Sequence, residues 1–152
     1  MSNPSIYICD DILAVRRLHD GLLNDDRLQL PIADHLDLLS QRIVDGHASR
    51  HPATVTHISC WHPKWVGHSA EQIFSVDFTC QDARETIARE YGFADWADAH
   101  QRGKQPPSLE FENAVDALLA GDIAKLRQLI GAHPKLTQQR SDYGHRSTLL
   151  HY

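Results

Sequence analysis

Apolar positions recur at helical spacing along most of the chain. Ile12, Val15, Leu18 and Leu22 form one stripe, with Asp10 and Asp11 ahead of it to cap a first helix. Asn24-Asp25-Asp26 is a polar break. Pro31 suits the first position of a second helix, where its missing N–H would be unpaired anyway. Ile32, Leu36, Leu39 and Ile43 then fall on one face, and Gly46 stands where a left-handed terminating residue is wanted. Residues 51–65 send a mixed signal. Thr54, Val55, Thr56 and Ile58 favour a strand, whereas Pro52 as a starter and Pro63 as a stop favour a short helix, which is the reading adopted.

Start signals follow in quick succession. Ser69-Ala70-Glu71-Gln72 is a capping box, and Thr79-Cys80-Gln81-Asp82 has the same form. Ala83, Ile87 and Tyr91 share a face, Gly92 ends that helix, Phe93 folds back, and Asp95 caps a further turn holding Trp96. The run Gly103-Lys104-Gln105-Pro106-Pro107-Ser108 reads as a linker. It divides the chain into a helical amino-terminal region, 1–102, and a carboxy-terminal unit, 109–152. In the latter, Phe111, Ala114, Val115, Leu118 and Leu119 form one helix face, and Gly121 closes the helix. Asp122 caps an antiparallel partner in which Ile123, Leu126, Leu129 and Ile130 are expected to face inward, up to His133-Pro134. The expectation is six or seven helices and an all-α fold.

Charge narrows the function classes. The net charge of −5 gives no long-range attraction to nucleic acid or an anionic membrane. The eleven histidines make that charge climb in mild acid. Three cysteines, Cys9, Cys60 and Cys80, lack paired spacing and are expected as free thiols in a reducing cytoplasm. The first residues lack the basic start and long apolar run of a signal peptide. No apolar run approaches the roughly 18 residues of a membrane span.

An internal echo links the two regions. Val44-Asp45-Gly46 leads to a helix ending Trp61-His62-Pro63-Lys64-Trp65. Leu119-Ala120-Gly121-Asp122 leads to one ending Ala132-His133-Pro134-Lys135-Leu136. Repeated helix pairs mark a solenoid. Residues 111–152 resemble an ankyrin repeat and the start of a second. The helix pair is joined at Gly121-Asp122, then Asp142-Tyr143-Gly144 looks like the Asp-x-x-Gly hairpin and Thr148-Leu149-Leu150-His151 like the Thr-Pro-Leu-His start. Leu149 replaces the family's proline, and His145-Arg146-Ser147 lengthens the spacer. Residues 69–100 are similar to a segment found upstream of repeats in some bacterial ankyrin-repeat proteins. The resemblance implies a helical-hairpin solenoid and a non-catalytic, cofactor-free, cytoplasmic protein-binding module. It places Tyr143, His145 and Arg146 at a projecting tip as partner contacts, with Thr148 and His151 as structural ties. The end at Tyr152, inside the next repeat's first helix, points to a piece of a longer protein or to pairing of the open end with another copy.

Two other chemistries have hooks. His47, His51, His57, Cys60, His62, His68 and Cys80 crowd one region, as zinc ligands would, yet without an established ligand spacing. No metal ligand is assigned. Ala88, Gly92 and Phe93 mimic a helix-turn-helix, but the would-be recognition helix opens with Asp95 and contains Asp98, which repel phosphate. No nucleophile with a positioned base and no phosphate-binding glycine loop is found.

Overall fold

The computed structural model describes residues 9–22 and 29–152, so the polar break at Asn24–Asp26 and the first eight residues lie outside the described residues. Those described contain eight α-helices and no strand: α1 (Asp10–Leu18), α2 (Ile32–Ala48), α3 (Pro52–Trp61), α4 (Ala70–Ile73), α5 (Cys80–Glu90), α6 (Trp96–Arg102), α7 (Leu109–Leu119) and α8 (Ile123–Ala132). Short 3-10 turns follow at Pro134–Thr137 and Leu149–His151. None of these helices is long and apolar enough to cross a membrane.

The α2 stripe forms the centre of the larger core. Ile32, Leu36, Leu39 and Ile43 are all buried, against Ile58 of α3 and Ala83 and Ile87 of α5. Residues 52–61 are helical despite their β-branched side chains. Pro52 opens the helix, and His51 Nδ1 accepts from Ala53 N–H. Tertiary burial of Ala53, Thr54, His57 and Ile58 outweighs a propensity difference that is small per residue. Asp10 and Asp11 do not cap α1 but occupy its first turn, where carboxylates favour the amide-rich end. Gly46 does not terminate α2 either. It is buried within the helix, where an added Cβ would meet Thr54 Cγ2 at 2.6 Å and Leu18 Cδ1 at 2.8 Å. The left-handed residue after α2 is Arg50, at φ 56°.

The caps at four starts are those expected: Ser69–Gln72 and Thr79–Asp82 are reciprocal boxes, and Asp95 and Asp122 cap α6 and α8. Pro31 is the residue before α2 rather than its first position, and Ser108, expected in the linker, caps α7. Thr79 Oγ1 accepts from Asp82 N–H at 3.2 Å while Asp82 Oδ2 accepts from Thr79 N–H at 3.0 Å. Because α5 packs against α2, α3 and α6, loss of this cap should be felt globally. Thr79→Ala is expected to lower stability by about 1 kcal/mol, read from the urea midpoint.

The 103–108 segment is bonded to α2. The Gly103 and Gln105 carbonyls accept from Ala33 N–H (2.9 Å) and Ile32 N–H (3.1 Å), satisfying amides at the start of α2 that have no intrahelical acceptor. A second core lies beyond it: Phe111, Ala114 and Val115 of α7 with Leu136 and Leu149, flanked by Leu118, Leu126 and Leu129. The closing halves of the two echoing segments share a pair of backbone hydrogen bonds. His62 N–H bonds Ile58 O and Trp65 N–H bonds His62 O; His133 N–H bonds Leu129 O and Leu136 N–H bonds His133 O. The opening halves differ, since Gly121 turns the chain at φ 68° while Gly46 stays helical.

Candidate functional site

The segment 140–152 is a folded loop held by its own polar groups. Ser141 N–H bonds Ser147 O at 2.7 Å, Arg146 N–H bonds Tyr143 O at 3.1 Å, and Arg140 Nη1 donates to Arg146 O at 2.9 Å. Thr148 and His151 close the last turn reciprocally, the roles expected of them. Asp142 Oδ2 accepts from Ser108 N–H at 2.9 Å and so ties the loop to the start of α7.

Of the three residues expected at a projecting tip, only two are outside. Tyr143 is 6% exposed and belongs to the larger core, its ring 5.1 Å from that of Tyr91. The physical reason is the packing of Gly144 directly on the backbone of Gly92 and Phe93, which draws the loop inward. Burial raises the Tyr143 phenol above its ordinary value, so it stays neutral. His145 and Arg146 are exposed. His145 lies between the rings of Tyr143 and Tyr152, and partial burial lowers its basicity. Arg146 adopts φ 52° and lines a cleft of about 570 Å³ with Ile32, Arg102, Gln105, Pro106 and Asp142.

The α8 stripe is inward only in part, with Leu126 and Leu129 packed against the second core and Ile123 outside. The expected inward residues of α8 are not buried: Ile123 is 62% exposed, Leu126, Leu129 and Ile130 are half-buried, and no α8 residue is fully buried. Leu119 at the end of α7 is 58% exposed, and Leu150 in the final turn 92%. α8 packs on α7 and the 134–137 turn, and Ile123 at its start is left uncovered.

The histidine crowd disperses into separate structural tasks. His47 Nε2 bonds Ile73 O at 2.8 Å and stacks on Phe78. His51 caps α3. His62 is buried, stacks on Trp65 and accepts from Lys64 N–H. Cys60 is exposed and Cys80 half-buried. Among the described residues no three His, Cys, Asp or Glu side chains form a group able to hold a metal ion. The α5–α6 turn is likewise a packing element. Phe93 is buried, Trp96 packs against the larger core, and Asp98 holds Arg102 at 2.6 Å.

Sequence reading missed one polar line, buried His19 and His57 with part-buried Glu90. Its only local sign was the position of His57 on the Ala53–Thr54–Ile58 stripe once residues 52–61 are taken as a helix. Comparison of the chain with family models, with curated proteins and with solved structures finds no match.

Proposed function

We propose that the chain is a non-catalytic protein-binding module of ankyrin-like, helical-hairpin type, and that it binds through the uncovered side of the α7–α8 pair. One observation carries this reading: α8 is amphipathic, yet Leu119 and Ile123 are more than half exposed where the hairpin turns. A helix pair with one open apolar side is what a repeat unit offers its neighbour, because such units bury that side only by stacking. The shared hydrogen-bond pattern at His62–Trp65 and His133–Leu136 supports a repeated plan. Free thiols at Cys9, Cys60 and Cys80 suit a reducing compartment such as the cytoplasm.

The test compares two surfaces on the intact chain. Leu119→Lys with Ile123→Lys should leave the thermal midpoint nearly unchanged, since both side chains are already in water, while abolishing capture of a protein partner from native lysate. His145→Ala with Arg146→Ala probes the loop. Tyr143→Ala would not be a clean probe, because it empties a core position. Capture unaffected by the lysine pair would sink the assignment to α7–α8.

A further inference from the structure

Two buried histidines and a part-buried glutamate, from three elements around the larger core, form a line that the binding surface does not use. His19 follows α1, His57 lies on the inner stripe of α3, and Glu90 ends α5. His57 Nδ1 is 2.6 Å from Glu90 Oε2, and His57 Nε2 is 3.1 Å from His19 Nε2. The two imidazole centroids are 5.0 Å apart at 75°, so the rings meet nitrogen to nitrogen at their edges rather than stacking. Each histidine is 3% exposed.

Proton counting fixes what this line tolerates. A carboxylate accepts, so His57 Nδ1–H donates to Glu90. Only one proton fits between the facing Nε2 atoms. With His57 neutral, His19 Nε2–H donates to it, and His19 Nδ1 is bare, buried and without a partner. A proton added to the pair would either set two N–H groups against each other or give His19 a buried N–H with no acceptor. Among the described residues, the groups that act most on His19 all disfavour such a charge. His35 and Arg42 face it from α2, His57 from α3 and His51 from the cap ahead of α3, and the Glu90 carboxylate of α5 bonds His57 instead.

We propose that the His19–His57 pair is an acid-releasable latch that holds α1 against α3. The releasable element of the two is α1 because it is less anchored than α3. Its own buried side chain is Leu18, joined by Leu22 in the following turn, and it packs mainly on α3. By contrast α3 is also held by α2 and α5. Burial, with His57 next in effect, lowers the His19 pKa to about 3 from an ordinary 6.5. Protonation above that range therefore requires α1 to open first. The sign follows. Above 6.5 both states are neutral and the latch is fully effective. Below it the opened form gains a proton that the closed form lacks, so the opened population grows about tenfold per pH unit until the closed form titrates near 3.

The test is amide hydrogen exchange on the full chain, expressed as protection factors for residues 10–22 relative to α2 and α5. From about pH 7.5 to about 4.5, α1 protection should fall roughly a hundredfold more than that of α2, at one proton per opening. In His19→Gln, whose side-chain amide can still donate to His57 but does not titrate, the α1-specific loss should vanish. If that variant fails to fold, histidine ring shifts in the wild type decide. His19 must stay neutral through the range while α1 is closed, and take up its proton as α1 opens. A parallel decline of all helices, an unchanged acid loss in His19→Gln, or His19 titrating near its ordinary value with α1 still protected would each overturn the latch.

Discussion

Gly144→Ala and Gly92→Ala should each destabilise the protein strongly, and the double substitution should cost less than the sum. A Cβ on Gly144 would strike Gly92 C and meet Gly92 O and Phe93 N, both at 2.5 Å. A Cβ on Gly92 would strike His145 N and meet His145 Cα at 2.7 Å. These neighbours are mostly backbone, so no rotamer change relieves them. Overpacking of this kind costs about 1–3 kcal/mol, and sometimes more. Gly92 adds a conformational term, because it sits at φ 82°, where a side chain costs about 1–2 kcal/mol. Once either methyl forces the 140s loop away from α5, the second meets open space, hence the sub-additive pair. Gly121→Ala is the control: it shares a positive φ of 68° but has no atom within 4 Å of its added Cβ. Urea midpoints for the four variants decide the matter. Equal losses for Gly92→Ala and Gly121→Ala would mean that the loop is not seated on α5 as described.

That contact explains which parts of the protein were legible from sequence. Helix starts at Ser69, Thr79, Asp95 and Asp122 were readable because a cap is settled within three residues, by one side chain and one amide. The α2 stripe was readable because four large apolar residues share one face. What sequence could not show is which neighbour each face meets. Gly46 looked like a terminator, yet it is a contact point because Leu18 and Thr54 need the room. Tyr143 looked like an exposed aromatic contact, yet Gly144 and Gly92, 52 positions apart, draw it into the core. Ile123 looked internal because its periodicity is sound; periodicity identifies an apolar face without naming a partner for it. The His19–His57–Glu90 line spans separations of 38 and 33 residues, beyond the reach of any local pattern.

Glu112 supplies the last prediction and runs opposite in sign to His19. It lies on α7 beside the second core, with Oε1 buried and without a hydrogen-bond partner. Burial first, then the charges of Asp116 and Asp142, pushes its pKa up to about 7 from 4.5. An acid whose folded value is raised contributes stability that is complete below the unfolded value. That contribution is lost as pH rises through the folded one, because in between only the folded state keeps the proton. Stability should therefore decline from about 4.5 to about 7 on account of Glu112. At one pKa unit per 1.36 kcal/mol, and with the carboxyl still partly wetted, the total is about 1–3 kcal/mol. Glu112→Gln keeps the shape and removes the titration. It should raise the unfolding free energy by that amount near pH 8, and change it little near pH 4, where the wild-type carboxyl is already neutral. His19 works the other way, adding stability as pH climbs from about 3 to 6.5. The two slopes oppose each other between 4.5 and 6.5, so the wild-type curve should be flat there and fall on either side. Glu112→Gln should convert that plateau into a rise. A variant curve as flat as the wild type's between 4.5 and 6.5 would mean that Glu112 is not the group that opposes His19 there.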